Sequence, residues 1–279
     1  MSVAAVELPV LTHDGHRYTL AARVPEQAHA RLLWVPALGV AARHYTPFAE
    51  ALAARGIAVY LHEWRGDGSS NLRPDRANDW AYRELLDVDL PATLAGMRSH
   101  TPDMPTFIGG HSLGGQIAAC FLGLHAPLFE QLWLVASGTP YWRTFPPSIR
   151  WWLPAFYRFA IWISQRRGAF PGRQLRFGGD EARGLIGDWA RVGLSGRYAA
   201  HGWDVDLEAA MAAARPSVRG VLLARDWLAP RTSLAGLLEK LPQAEKRMTV
   251  LDAATLGARA DHFGWMKRPE AVVASLLAE

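Results

Sequence analysis

The chain has 279 residues, half of them hydrophobic and a fifth charged. That suits one large domain, or one domain carrying an inserted subdomain, and excludes a disordered chain. The formal net charge is +4, and the basic residues, mostly Arg, are scattered without a run of five or six like charges, so neither a nucleic-acid nor a polybasic membrane footprint is indicated. The single cysteine, Cys120, precludes an intramolecular disulfide and leaves structural zinc without a ligand set.

In chain order, the first 25 residues read as a hairpin. Val6–Thr12 and His16–Arg23 flank Asp14-Gly15, a favoured two-residue turn. The N-terminus lacks a basic region followed by an apolar one, and no stretch approaches the roughly 18 apolar residues of a spanning helix. A cytoplasmic, reducing location is therefore the default expectation. Short apolar runs follow at Arg31–Val35, Ile57–Leu61, Thr106–Ile108, Leu132–Val135, Val218–Ala224 and Met248–Leu251. They are not alternating, as expected of strands buried on both faces of a parallel sheet. Helical patterns lie between them at Tyr45–Arg55, from an Asp79 N-cap toward Ser99 with a kink or break at Pro91, at Leu113–His125, Thr232–Leu241 and Pro269–Ala278. Strands alternating with helices predict an α/β class, doubly wound and mostly parallel.

The rhythm stops after Ala136 and resumes at Val218. Residues 139–216 hold six of the twelve tryptophans and no convincing strand. They are expected to form a helical cap inserted into a core made of residues 1–138 and 217–279. Three readings of its aromatic content stay open: a lid core built from large rings, an apolar acyl pocket, or a lid that touches a membrane surface.

Gly110-His111-Ser112-Leu113-Gly114 matches G-x-S-x-G. It follows the apolar run Thr106-Phe107-Ile108 and opens a helix rich in Ala and Leu. A strand-to-helix turn of this tightness needs small residues on either side of the Ser. It exposes Oγ at the carboxyl end of the sheet, beside the amides of the helix N-terminus.

In these residues the sequence resembles the α/β-hydrolase superfamily. Within it, the chain is similar to the monoglyceride-lipase-like and serine aminopeptidase S33-type hydrolases. Pro36-Ala37-Leu38-Gly39, followed by His44-Tyr45, sits where that family has its His-Gly oxyanion loop. Arg65-Gly66-Asp67-Gly68-Ser69-Ser70 looks like its Arg-Gly-x-Gly-x-Ser loop. The resemblance implies the α/β-hydrolase fold, a Ser nucleophile at Ser112, and an oxyanion hole made of the Leu38 and Leu113 backbone N–H groups. Two positions depart from the pattern. Pro36-Ala37 replaces His-Gly, and Asp261 precedes the proposed catalytic His where small residues are usual.

The base should follow the acid in the chain order of this fold. His262 comes a loop after Met248–Leu251, ahead of Phe263-Gly264-Trp265 and the terminal helix, whereas His201 lies in the presumed cap. His111 is expected to point away from Ser112 as a spacer or pocket-wall residue. Asp226 ends the strand Val221–Ala224, and Asp226-Trp227-Leu228-Ala229-Pro230 resembles the family's acid turn. Asp252 is the rival acid, and Asp261 adjoins the His. The resulting expectation is a serine hydrolase cleaving a carboxylic ester of apolar, lipid-like acyl type through Ser112, Asp226 and His262, with no cofactor or metal implied. The alternatives are an acyltransferase using the same three residues and a non-catalytic binding protein on a hydrolase scaffold.

Overall fold

A computed structural model describes residues 2–101 and 104–278. Ten strands occur among the described residues: β1 (Val3–Leu11), β2 (Arg17–Pro25), β3 (Ala30–Val35), β4 (Ile57–Leu61), β5 (Thr106–His111), β6 (Gln131–Val135), β7 (Ala169–Pro171), β8 (Asp180–Ala182), β9 (Ser217–Leu223) and β10 (Glu245–Leu251). Eight make one sheet in the order β1-β2-β4-β3-β5-β6-β9-β10, and β7 and β8 pair only with each other. Strands β1 and β2 are antiparallel to each other, and β2 is antiparallel to β4. All other pairs in the large sheet are parallel. This is the α/β-hydrolase fold.

The apolar runs become strands because helices cover both faces of the sheet. Leu33, Tyr60, Ile108 and Leu134 pack on one side with helices Leu90–His100 and Leu113–Leu124. Leu32, Val59, Trp133 and Val221 pack on the other, with helices Thr46–Ala53 and Glu270–Leu277. Strands β3, β4 and β5 are buried at every position. Strand β10 is not: six of its seven residues are exposed, because it forms the free edge of the sheet. Its Lys246 and Arg247 lie on that edge, where charge discourages pairing with another chain.

Three local expectations are corrected. The first hairpin is closed by residues 12–16 and not by two residues. Register pairs Leu11 with Arg17, and Thr12 N–H donates to His16 O at 2.9 Å. Asp79 does not cap the following helix, which starts at Tyr82. Its carboxylate accepts from Gly184 N at 3.0 Å and pairs with Arg183. Pro91 does not end the helix either. A π-helical stretch, Leu85–Asp89, precedes it and leads directly into Leu90–His100. The wider turn relieves the clash between the Pro ring and the carbonyl behind it.

Between β6 and β9 the chain carries helices Leu153–Arg167, Arg183–Ser195 and Leu207–Ala213, together with the β7–β8 ribbon. The ribbon was not legible as strand in the sequence, since three-residue strands interrupted by Pro171 and Gly172 leave no periodicity. Asp188, fully buried, accepts from Tyr82 N at 3.1 Å and from His201 N at 3.0 Å. It thereby fastens this segment to the helix beside the sheet.

Candidate active site

Strand β5 delivers Ser112 at its carboxyl end. Ser112 has φ 56° and ψ −123°, a conformation that costs a non-glycine residue about 1–3 kcal/mol. Surrounding groups hold it there. Ser112 N–H donates to Val135 O at 3.2 Å, and Ser112 O accepts from Ser137 Oγ at 2.7 Å. The flanking glycines are steric necessities. A Cβ at Gly114 would lie 2.1 Å from Val35 O, and one at Gly110 would lie 2.3 Å from the Gly114 carbonyl carbon. Ala136, at the end of the neighbouring strand, also has positive φ, as does Arg176 at the cavity wall.

His262 and Asp226 come together from loops 36 residues apart. Asp226 Oδ2 accepts from His262 Nδ1 at 2.7 Å. The other oxygen, Oδ1, accepts from Leu228 N at 2.9 Å and Ala229 N at 3.1 Å. The carboxylate is therefore oriented by its own turn, and the His proton is drawn to Nδ1. Nε2 is left as the nitrogen available to the cavity that Ser112 and His262 both line. Asp252 is elsewhere: exposed, it caps the short helix Ala253–Leu256 by accepting from Thr255 N at 2.8 Å. Asp261 turns into its own loop, accepting from Gly264 N at 2.8 Å and pairing with Arg259.

The loop after β3 faces this pair. Ala37 N donates to Tyr45 Oη at 2.8 Å, and Val40 N donates to Ala37 O at 3.1 Å, with Leu38 between them at the cavity wall. Leu113, the first residue of its helix, lines the same cavity; the amide at that position has no partner within the helix. With Ala37 N–H as its donor, the Tyr45 hydroxyl turns its own proton to His111 Nδ1 at 2.8 Å. Burial, and then the nearby His262, hold His111 well below the usual histidine range, so it stays neutral. Its ring lies 4.7 Å from that of His262. His111 is thus a prop behind His262 and Tyr45, not a wall of the cavity.

The segment between β6 and β9 closes the other side. Gly39, with φ +70°, lies so close to it that a Cβ would be 2.0 Å from Gly179 N. Leu38, like Phe156 and Phe177, packs against the small buried cluster of Ala160, Phe170 and Ile186. Two carboxyls are buried at this contact: Glu181, which accepts from Gly179 N at 2.8 Å, and Asp67. Burial first, and then repulsion from a neighbouring carboxylate, push both above the ordinary carboxyl range. Glu63 faces Asp67, and Asp67 and Asp180 face Glu181, with Arg173 opposing both shifts.

The cavity, open at one mouth, measures about 340 Å³. Its wall is mostly aromatic and aliphatic, including Phe145, Phe156, Tyr157, Phe177, Trp189 and Leu153. Gln116 and Thr139 supply polar groups, and among the described residues Arg176 and His262 are the only ionisable side chains there besides the phenol of Tyr157. Of the six tryptophans of residues 139–216, Trp152 and Trp189 line it. These wall residues were not individually legible in the sequence, because apolar content does not say which way a ring points.

The sequence pattern of the serine aminopeptidase S33 family matches residues 26–176, just over half of the chain. The chain belongs to that family. A monoglyceride lipase candidate of Schizosaccharomyces pombe is 29% identical over 126 residues, a match spanning 45% of this chain and 32% of that protein. Among solved structures, a hydrolase from Pseudomonas aeruginosa PA01 superposes with a TM-score of 0.63 at 19% identity, covering 97% of each chain. An esterase from Thermogutta terrifontis superposes at 0.60 with 18% identity, covering 97% of this chain and 96% of that one. At these identities the likeness speaks for the shared fold.

Proposed function

We infer that this S33-family chain is a carboxylic-ester hydrolase for apolar, lipid-like acyl esters. One observation carries the reading: His262, fixed by Asp226 at 2.7 Å, opens with Ser112 on a single apolar cavity. Ser112 Oγ attacks the acyl carbonyl as His262 Nε2 takes its proton. Asp226 holds the imidazole in the required tautomer and stabilises the imidazolium. The Leu38 and Leu113 amides receive the oxyanion, His262 protonates the departing alcohol, and water then cleaves the acyl-enzyme by the same route.

The wall chemistry favours an ester over the peptide that the family's name suggests. An aminopeptidase must hold a free ammonium group, and no carboxylate lines the cavity among the described residues. A buried ammonium without a counter-charge is strongly disfavoured. A cavity of 340 Å³, at about 30 Å³ for each water-sized group, has room for on the order of ten such groups. Each buried methylene contributes up to about 0.8 kcal/mol, or roughly fourfold.

The test is kcat/KM for p-nitrophenyl acetate, butyrate, hexanoate and octanoate, with fluorophosphonate labelling of Ser112. Rising values with chain length support the reading. A steady fall beyond acetate overturns the acyl-pocket assignment, and absence of labelling overturns Ser112 as nucleophile. Product analysis with an added alcohol separates free-acid release from acyl transfer.

A further inference from the structure

Residues 131–179 contain seven arginines and no Lys, Asp or Glu. The chain as a whole has 30 basic against 26 acidic residues, so outside this stretch 23 basic residues face 26 acidic ones. The whole positive excess therefore sits in one segment. Spacing hid it: the arginines occur at 143, 150, 158, 166, 167, 173 and 176 and never form a run. Six of the seven, all but Arg173, have no carboxylate partner among the described residues.

Folding gathers Arg150, Arg158 and Arg166 with exposed rings. On helix Leu153–Arg167, Leu153, Tyr157, Ala160 and Ser164 are buried, while Arg158, Phe159, Trp162 and Arg166 face outward at helical spacing. Phe159 and Trp162 touch, at 6.0 Å between ring centroids, and Arg166 stacks over Trp162 at 5.7 Å. Trp151, 68% exposed just before the helix, carries Arg150 over its ring at 4.9 Å. Next to it Trp152 is both exposed and part of the cavity wall. The rim continues through Leu175, Trp227 and Phe263, all exposed and all lining the same cavity. Of eleven exposed large hydrophobic residues among those described, seven belong to this outer face or this rim.

We propose that this face docks on an anionic lipid surface and brings the cavity mouth to it. Rings with an apolar body settle at the headgroup boundary, and unpaired guanidinium groups supply the complement to lipid phosphates and carboxylates. Arg150, Arg158, Arg166 and Arg167 have no carboxylate partner among the described residues, so this face repels a second copy of itself, which selects an anionic surface over self-association. The cation–π pairs keep the arginines beside the rings that insert. The inference goes beyond ester hydrolysis and does not depend on it, since binding is read without turnover.

The experiment is co-sedimentation of the full chain with phosphatidylcholine vesicles, with and without phosphatidylserine, at low and high salt. Wild type should bind the phosphatidylserine vesicles and be released by salt. R158Q/R166Q/R167Q should lose roughly hundredfold in partition, about fivefold per arginine. F159S/W162S should also lose binding. None of these five residues lines the cavity. Both variants should keep the wild-type thermal midpoint and wild-type p-nitrophenyl acetate turnover in vesicle-free solution. Equal binding to both vesicle types, no binding, or an unchanged triple variant overturns the proposal. So does self-association of wild type that F159S/W162S abolishes, which would place a second copy on this face.

Discussion

Replacing Asp226 with Asn tests the proposed mechanism at the atom on which it turns. The two oxygens of Asp226 have different partners: Oδ1 accepts two backbone N–H groups, and Oδ2 faces His262 Nδ1. An Asn amide has one oxygen. It must go to the Oδ1 position, because an NH2 group there would meet the Leu228 and Ala229 donors head-on. The NH2 then points at His262 Nδ1 and forces that nitrogen to be the acceptor. The proton moves to Nε2, and the base toward Ser112 is lost although the ring has not moved. The expected loss in kcat is up to about 10⁴-fold, near 5.4 kcal/mol of transition-state stabilisation, with little change in KM. The assay is steady-state hydrolysis of p-nitrophenyl hexanoate, with circular dichroism to confirm folding. Asp252→Asn is the matched control, since that carboxylate caps a helix on the surface. A loss below tenfold for Asp226→Asn, or a larger one for Asp252→Asn, would refute the assignment.

Three other outcomes follow from the geometry. Ser112→Gly should be more stable than Ser112→Ala by about 1 kcal/mol, because glycine adopts φ 56° without strain and this outweighs its greater chain entropy; equal denaturant midpoints would contradict it. Gly39→Ala should lower kcat more than tenfold and lower stability, since its Cβ meets Gly179 N at 2.0 Å. Gly15→Ala, at φ +88° with open space around it, should lower stability by about 1 kcal/mol and leave kcat alone. The third outcome is pH-dependent. Glu181 and Asp67 are raised in the folded protein, so the folded state keeps protons that the unfolded chain has released. The stability they contribute is complete below the ordinary carboxyl range and is lost as pH rises above it. Glu181→Gln keeps an oxygen for Gly179 N and should raise Tm at alkaline pH but scarcely at acid pH; the same shift at both would rule this out.

The sequence by itself determined the order of strands and helices around the large sheet, though not the β7–β8 ribbon. Periodicity and apolar runs record how many faces of an element are covered, and a parallel sheet with both faces covered leaves unbroken apolar strands. It also determined the elbow, because a turn that admits no Cβ at Gly110 or Gly114 writes its own steric requirement into the chain. Tertiary structure alone decided three matters. It set Asp226 against His262 and gave Asp252 and Asp261 other partners; the turn's resemblance favoured Asp226, but only the fold fixes the distance. It assigned Tyr45 and His111 to the support of the Leu38 loop, a contact across 66 residues that no local pattern encodes. It also brought separated arginines, among them Arg150, Arg158 and Arg166, beside exposed rings on one face. Helical rotation converts spacing along the chain into proximity in space, and charge counted along the chain cannot register that.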